Sequence, residues 1–156
     1  MTQIQWRNVI NKQYKRIEIA NMKNKKISFQ PHGDFRGQLI AIEQHKNIPF
    51  EIKRVYYIYD TLPNVRRGFH AHKTLQQLLV CTSGECKILL DDGENKEVVI
   101  LNKPTEGLFV EGCIWREMFD FSPGAVLMVL ASDYYDESDY IRNYEEFLSY
   151  VHKERK

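Results

Sequence analysis

Little in this chain of 156 residues offers covalent stapling: it holds three cysteines, an odd number with no C-x-x-C pair. The implication is free thiols in a reducing compartment rather than a disulfide framework, with Cys81 and Cys86 flanking an expected tight turn. No apolar run approaches the length of a membrane span, and the N-terminus lacks the hydrophobic region of a signal peptide. Neither sign of charge dominates, with 22 Lys and Arg against 21 Asp and Glu, so the whole chain carries no electrostatic footprint for nucleic acid. Repeats, linkers and low-complexity segments are also missing. These absences predict a soluble, cytoplasmic protein that binds neither nucleic acid nor membrane. Its length suits one domain with a full hydrophobic core.

Residues 1–26 are polar and basic, with Lys12, Lys15, Arg16, Lys23, Lys25 and Lys26 between scattered apolar positions. Such runs are usually solvated faces. We read 1–26 as an N-terminal extension or edge element, whose basic residues assist a nucleotide only as the less favoured alternative, and 27–156 as the domain.

Aromatic residues make up 12% of the chain and include nine tyrosines, which suits a β-rich fold or an aromatic-lined pocket. The segments Ile27–Phe29, Gln38–Glu43, Ile52–Tyr59, Leu75–Thr82, Glu85–Asp91, Glu97–Leu101, Leu108–Val110, Ile114–Phe121 and Ala125–Ala131 read as strands. Gly, Pro and Asp turns separate them, including a turn at Pro31–Gly37 and a hairpin signal at Asp92-Gly93. Short strands at this spacing predict an all-β sandwich or barrel. The tail changes period: Tyr140, Ile141, Tyr144, Phe147, Leu148 and Val151 form the apolar stripe of an amphipathic helix, expected to pack on the outside of the barrel.

The chemistry concentrates in Arg66-Arg67-Gly68-Phe69-His70-Ala71-His72. Histidines at i and i+2 on a strand point to the same side, and Arg67 brings a planar fork of donors suited to phosphate or carboxylate. A concave sheet carrying an Arg and two His suits binding an anion and moving protons; the plainer alternative is a pair of structural histidines. In Arg54-Val55-Tyr56-Tyr57-Ile58-Tyr59 the alternation is ambiguous, because both faces mix apolar and hydroxyl-bearing groups.

The His-x-His, Gln77 and Gly84 sequence resembles the first motif of the cupins, and Pro104, Gly107, Val110 and Trp115 resemble the second. A cupin-like jelly-roll barrel with a C-terminal amphipathic helix is the fold this implies. Metal-dependent cupins place a Glu where Gln77 stands and a His near Arg116, so both departures argue against a metal site. Longer stretches resemble the sugar 3,4-ketoisomerases acting on dTDP-4-keto-6-deoxyglucose: Arg54–Asp60, Arg67–Lys73, Asp91–Gly93, Val129–Glu137 and Asp139–Arg142. This resemblance covers about residues 27–150.

It implies a sugar-nucleotide isomerase that moves a carbonyl from C4 to C3 through an enediol, without metal or cofactor, feeding 3-amino-3,6-dideoxyhexose synthesis for a surface glycan. A homodimer of the domain-swapped kind is also implied. The roles implied are His70 as base, His72 as shuttle or enediolate stabiliser, and Tyr56 as hydroxyl donor, preferred over Tyr57 by the resemblance alone. Arg67 is the expected pyrophosphate ligand with Arg54 and Arg36 behind it, and Gln77 and Arg116 complete the substrate-binding set. Trp115 and Glu117 share a face that either lines the pocket or, as we favour for Trp115, belongs to the core. Asp133–Tyr140 reads as packing near the dimer. A dTDP-sugar epimerase and a non-catalytic sugar-nucleotide binding cupin are the alternatives; a metal-dependent oxygenase is disfavoured by Gln77 and Arg116. Gluco or galacto stereochemistry of the product stays open.

Overall fold

Alternation along the strands decides the architecture. In Leu79 and Cys81, Ile88 and Leu90, and Leu127 and Val129, the residues two apart are each exposed by 1% or less. They meet in one core between two sheets. The protein is described from a computed structural model over residues 24–156; the basic residues of the extension up to Lys23 lie outside the described residues.

Strands β1 (Asn24–Ser28), β2 (His32–Asp34), β3 (Gly37–Leu39), β4 (Arg54–Ile58), β5 (Arg67–His72) and β6 (Gln77–Ser83) come first. They are followed by β7 (Cys86–Asp91), β8 (Lys96–Leu101), β9 (Glu106–Val110), β10 (Trp115–Phe119), β11 (Val126–Ala131), β12 (Tyr140–Ile141) and helix α1 (Tyr144–Glu154). One sheet runs β1-β9-β6-β11-β4, the other β12-β5-β10-β7-β8, and β2-β3 form a separate hairpin. Every pairing between these strands is antiparallel. This is the all-β, cupin-like jelly roll with a C-terminal helix that the turn spacing and the resemblance predict, built as two facing sheets. Strand β1 starts within the stretch read as extension. Among the described residues no helix is long and apolar enough to cross a membrane.

The first sheet is covered on both faces. Its outer face carries Leu78, Val80, Phe109 and Leu130, packed under Phe29, Ile48 and Phe50. That explains the unbroken apolar run of β6, which alternation alone would not produce. The expected strand Gln38–Glu43 ends at Leu39. From there the chain crosses the sheet as irregular backbone, and side chains supply the missing ladder bonds. Asn47 Oδ1 accepts from Glu43 N at 2.8 Å, Asn47 Nδ2 donates to Ala41 O at 2.7 Å, and Gln44 Oε1 accepts from Ile52 N at 3.2 Å.

The second sheet is covered on its outer face by α1. Phe147 and Val151 press on Ala71, Trp115 and Ile141. Trp115 is therefore core, and Glu117 shares this outer face, with its Oε1 3.3 Å from the indole nitrogen. The helix is shorter than the apolar stripe suggests. Asn143 caps it, accepting from Glu146 N at 2.9 Å, so Tyr140 and Ile141 fall outside and instead pair with His72 and Ala71 of β5.

Phe147 is fully buried among Ala71, Trp115, Ile141 and Val151. Phe147→Ala should destabilise the protein by about 3–5 kcal/mol, the usual cost of emptying a buried aromatic site. Chemical denaturation measures it; a loss under about 1 kcal/mol would mean the helix contributes little to the fold.

Candidate active site

At one end the inner faces of the sandwich change from apolar to polar. Arg54 and Tyr56 of β4, Gln77 of β6 and Arg116 of β10 belong to strands whose inner residues elsewhere line the core, and His70 and His72 of β5 join them on this face. The ambiguity in β4 is resolved here. Tyr56 packs against the inner core, while Val55 and Tyr57 are 54% and 64% exposed on the other side.

The histidines reach this face through a bulge. Arg116 pairs with His70 and Glu117 with Gly68, leaving Phe69 as an extra residue. Without it, Phe69 would stand opposite Arg116 and both imidazoles would turn outward. Gly68 takes φ +93°, and a Cβ there would lie 2.7 Å from the Arg116 carbonyl oxygen. Phe69 itself sits at φ 55°, a strained conformation for a bulky residue. The same bulge gives Arg67 inner parity, because Arg67 pairs with Met118 of the core; its own side chain is exposed at the start of β5.

His72 is 1% exposed and its Nδ1 lies 3.1 Å from Asp139 Oδ2. The carboxylate only accepts, so Nδ1 carries the proton and Nε2 is bare. Among the described residues Nε2 is buried without a protein partner, as is Arg54 Nε. The His70 ring stands 4.9 Å from that of His72, nearly perpendicular, and the neighbouring Gly68 backbone partly offsets the lowering of its pKa. Tyr140 packs on both rings, at 5.1 and 4.2 Å. Arg54 lies over the rings of Tyr56 and Tyr135. A cleft of about 450 Å³ opens beside His72, with Arg54, Lys73, Tyr134 and Tyr140 in its wall.

Arg116 has no exposed surface. It donates to the Ile114 carbonyl from Nη2 at 3.0 Å and from Nε at 3.3 Å, and from Nη1 to Gln77 Oε1. Gln77 Nε2 lies 2.9 Å from the Tyr56 hydroxyl. Burial, with the Arg116 charge second, pushes His70 down to about 4 and His72 lower still. Burial pushes the Tyr56 hydroxyl up, so it remains a protonated donor, and Arg116 is lowered to about 10, still charged at neutral pH. The site therefore holds two neutral imidazoles, a protonated phenol and a buried cation.

Arg36 is not part of this cluster. It sits at the tip of the exposed β2–β3 hairpin, ion-paired to Asp34, with neighbouring Phe35 98% exposed. Sequence reasoning missed Asp139 and Tyr140, treating their segment as packing. An acidic residue before a tyrosine is unremarkable until β12 folds back on β5. Among the described residues no three His, Cys, Asp or Glu side chains converge as a metal site.

The family model described as "FdtA: WxcM-like, C-terminal" matches residues 22–152. The chain is 56% identical, over 85% of its length and 95% of the relative's, to TDP-4-oxo-6-deoxy-alpha-D-glucose-3,4-oxoisomerase of Aneurinibacillus thermoaerophilus. It is similar to the crystal structure of a 3,4-ketoisomerase from Helicobacter canadensis, with 55% identity, TM-score 0.83 and coverage of 85% of this chain and 99% of that one. It is also similar to an asparagine mutant of the 3,4-ketoisomerase QdtA from Thermoanaerobacterium thermosaccharolyticum, in complex with TDP-4-keto-6-deoxyglucose. There the identity is 45%, the TM-score 0.82 and the coverage 84% and 95%. An epimerase of Mycobacterium tuberculosis, at 16% identity and TM-score 0.66, shares the fold alone.

A base must be neutral to accept a proton, and His70 is neutral at any pH above about 4. For turnover that depends on His70, kcat/KM should hold through pH 6.5 and fall only as pH drops towards about 4. The unfolded chain, with ordinary histidines near 6.5, takes up protons first. Stability therefore also declines as pH falls from about 6.5, and folding must be followed on the same samples. A kcat/KM midpoint near 6.5 with the protein still folded would exclude His70 as the titrating base.

Proposed function

The chain belongs to the FdtA family of sugar 3,4-ketoisomerases, and from that premise we propose that it converts dTDP-4-keto-6-deoxyglucose into the corresponding 3-keto sugar nucleotide. The observation that carries the mechanism is a pair of neutral imidazoles, His72 buried with its Nδ1 facing Asp139 and His70 half-buried beside it, next to a buried guanidinium.

In the substrate the C4 ketone acidifies the hydrogen on C3. His70 takes that proton on its bare nitrogen, and the electron pair moves through C3–C4 onto O4, forming the enediolate. The O3 proton must move to O4, and a proton must return to C4, leaving the ketone at C3. Electrons balance within the sugar, so the net reaction consumes no redox equivalent. Nε2 of His72 carries the proton between the oxygens, since it is an acceptor without a partner among the described residues and the ring is held in place by Asp139. The Tyr56 hydroxyl donates to the developing oxyanion. The Arg116 charge stabilises that oxyanion across a poorly hydrated space, where a fixed cation acts more strongly than in water. Arg67 and Arg54 take the pyrophosphate, the former from the rim of the site and the latter from its unsatisfied Nε.

Arg36 contributes from a second copy of the chain. The β2–β3 hairpin exposes Phe35 and Leu39, 98% and 59%, with Arg36 between them. A homodimer in which this hairpin crosses to the partner would bury the apolar tip and carry the cation to the partner's cleft.

NMR of the product from dTDP-4-keto-6-deoxyglucose in deuterated water tests the reading. A ketone at C3 is the expected result; exchange with the ketone still at C4 would indicate an epimerase, and no change at all a binding protein. His70→Asn should lower turnover by about 10²–10⁴ while affinity for dTDP stays near normal; a variant keeping more than about a tenth of the rate would remove His70 from the role.

Arg67→Ala should weaken binding of dTDP and of substrate together, by about 1.5–3 kcal/mol for a lost charge-assisted contact. Unchanged dTDP affinity by titration would transfer the phosphate-binding role to Arg54 or to the partner's Arg36.

A further inference from the structure

We propose that Gln77 is a positioning residue whose side-chain amide holds the Tyr56 hydroxyl turned towards the substrate as a proton donor. The proposal rests on the ketoisomerase reading and assigns Gln77 a role in it other than touching substrate.

Donor and acceptor counting carries the argument. A guanidinium can only donate, so the end of Gln77 that faces Arg116 Nη1 is the amide oxygen. The other end is then the NH₂ group, which donates to the Tyr56 oxygen at 2.9 Å. A phenol oxygen already engaged as acceptor on that side directs its own proton elsewhere. Among the described residues no acceptor takes that proton. Arg116 thus sets the polarity of a three-member chain, Gln77 transmits it, and Tyr56 presents it to the polar end of the sandwich. Arg116 and Gln77 are exposed by 0% and 1%, so the bond that sets the polarity is shielded from water that would scramble it.

Glutamate has nearly the same shape with the opposite polarity. At position 77 a carboxylate would accept from both neighbours, and the Tyr56 proton would turn inward, away from the sugar. The methionine variant keeps the volume and leaves the hydroxyl free to rotate.

The experiment is a double-mutant cycle on the full chain, with Gln77→Glu, Gln77→Met and Tyr56→Phe, reading kcat, KM and dTDP affinity on samples checked for folding. Gln77→Glu should lower kcat by about 10²–10³, the range for losing one donor to an oxyanion, with KM and dTDP affinity little changed. Gln77→Met should lose only about tenfold, although it is the less conservative change. In the Tyr56→Phe background neither substitution should cost more than about threefold further, because no hydroxyl remains to orient. A glutamate variant with kcat within about threefold of wild type would overturn the proposal. An undiminished penalty in the Tyr56→Phe background would also overturn it, since glutamate would then be acting by neutralising Arg116. If the glutamate variant does not fold, the methionine–phenylalanine cycle makes the same decision. Absence of turnover in the wild type would count instead against the ketoisomerase reading.

Discussion

A buried guanidinium to which, among the described residues, no carboxylate is hydrogen-bonded is the constraint on which the site depends. Arg116 has no exposed surface, and its hydrogen bonds go to the Ile114 carbonyl and the Gln77 amide oxygen, both neutral. Removing such a charge from water costs several kcal/mol even after relaxation, and hydrogen bonds to a charged group return about 1.5–3 kcal/mol each. A carboxylate partner would be cheaper for the fold but would cancel the field. Neutral acceptors leave the positive potential intact. That potential helps to keep His70 and His72 unprotonated, so the residue proposed to favour an anionic intermediate also holds both imidazoles in the neutral form that a base requires. A surface arginine would do neither, because water would screen it.

The same arrangement links the two positions at which the sequence departs from the metal-dependent cupin motifs that it resembles. Gln77 and Arg116 are bonded to each other. Replacing only the carboxylate would leave an incomplete metal site; replacing only the histidine would bury an arginine beside a glutamate and lose its field. As a pair they place a covalently attached cation, with hydrogen-bond donors in a fixed direction, where the resemblance to metal-dependent cupins would expect ligands. The cost falls on the backbone of β5, where Gly68 and Phe69 adopt positive φ so that the imidazoles meet that cation. Strain at such a place is expected where the surrounding strands over-determine the geometry.

Much of the fold was legible in the sequence because the turns are written in Gly, Pro and Asp and the strands between them are short. What alternation could not provide lay where two layers act on one strand. β6 is buried on both faces, and the mixed residues of β4 gave no phase until Tyr56 was seen against the inner core and Tyr57 outside. The His-x-His spacing was readable, yet strict alternation would have separated Arg67 from His70; only the extra Phe69 places them on one face. The helix stripe was real but began too early, because Asn143 offers a better cap than anything upstream and Tyr140 finds a strand partner. Asp139 was invisible for a simpler reason: it acts on His72 across 67 residues, and no local pattern encodes such a contact.

The C-terminal segment is consequently more than a cover. Asp139 accepts from Thr74 N and Oγ1, each at 2.9 Å, besides facing His72, while Tyr140 pairs with His72 through the backbone and packs on its ring. The next elements, Asn143 as cap and Phe147 as anchor, seat α1 on the outer face of the strand that carries the histidines. One strand is thus gripped from both sides. The helix buries Ala71 from outside, and the tyrosine and carboxylate hold the alternate residues from inside. Since successive residues of a strand point to opposite faces, fixing Ala71 and His72 from opposite directions leaves the imidazole little freedom to rotate. The tautomer and the orientation of His72 are set by the same short run of residues that closes the domain.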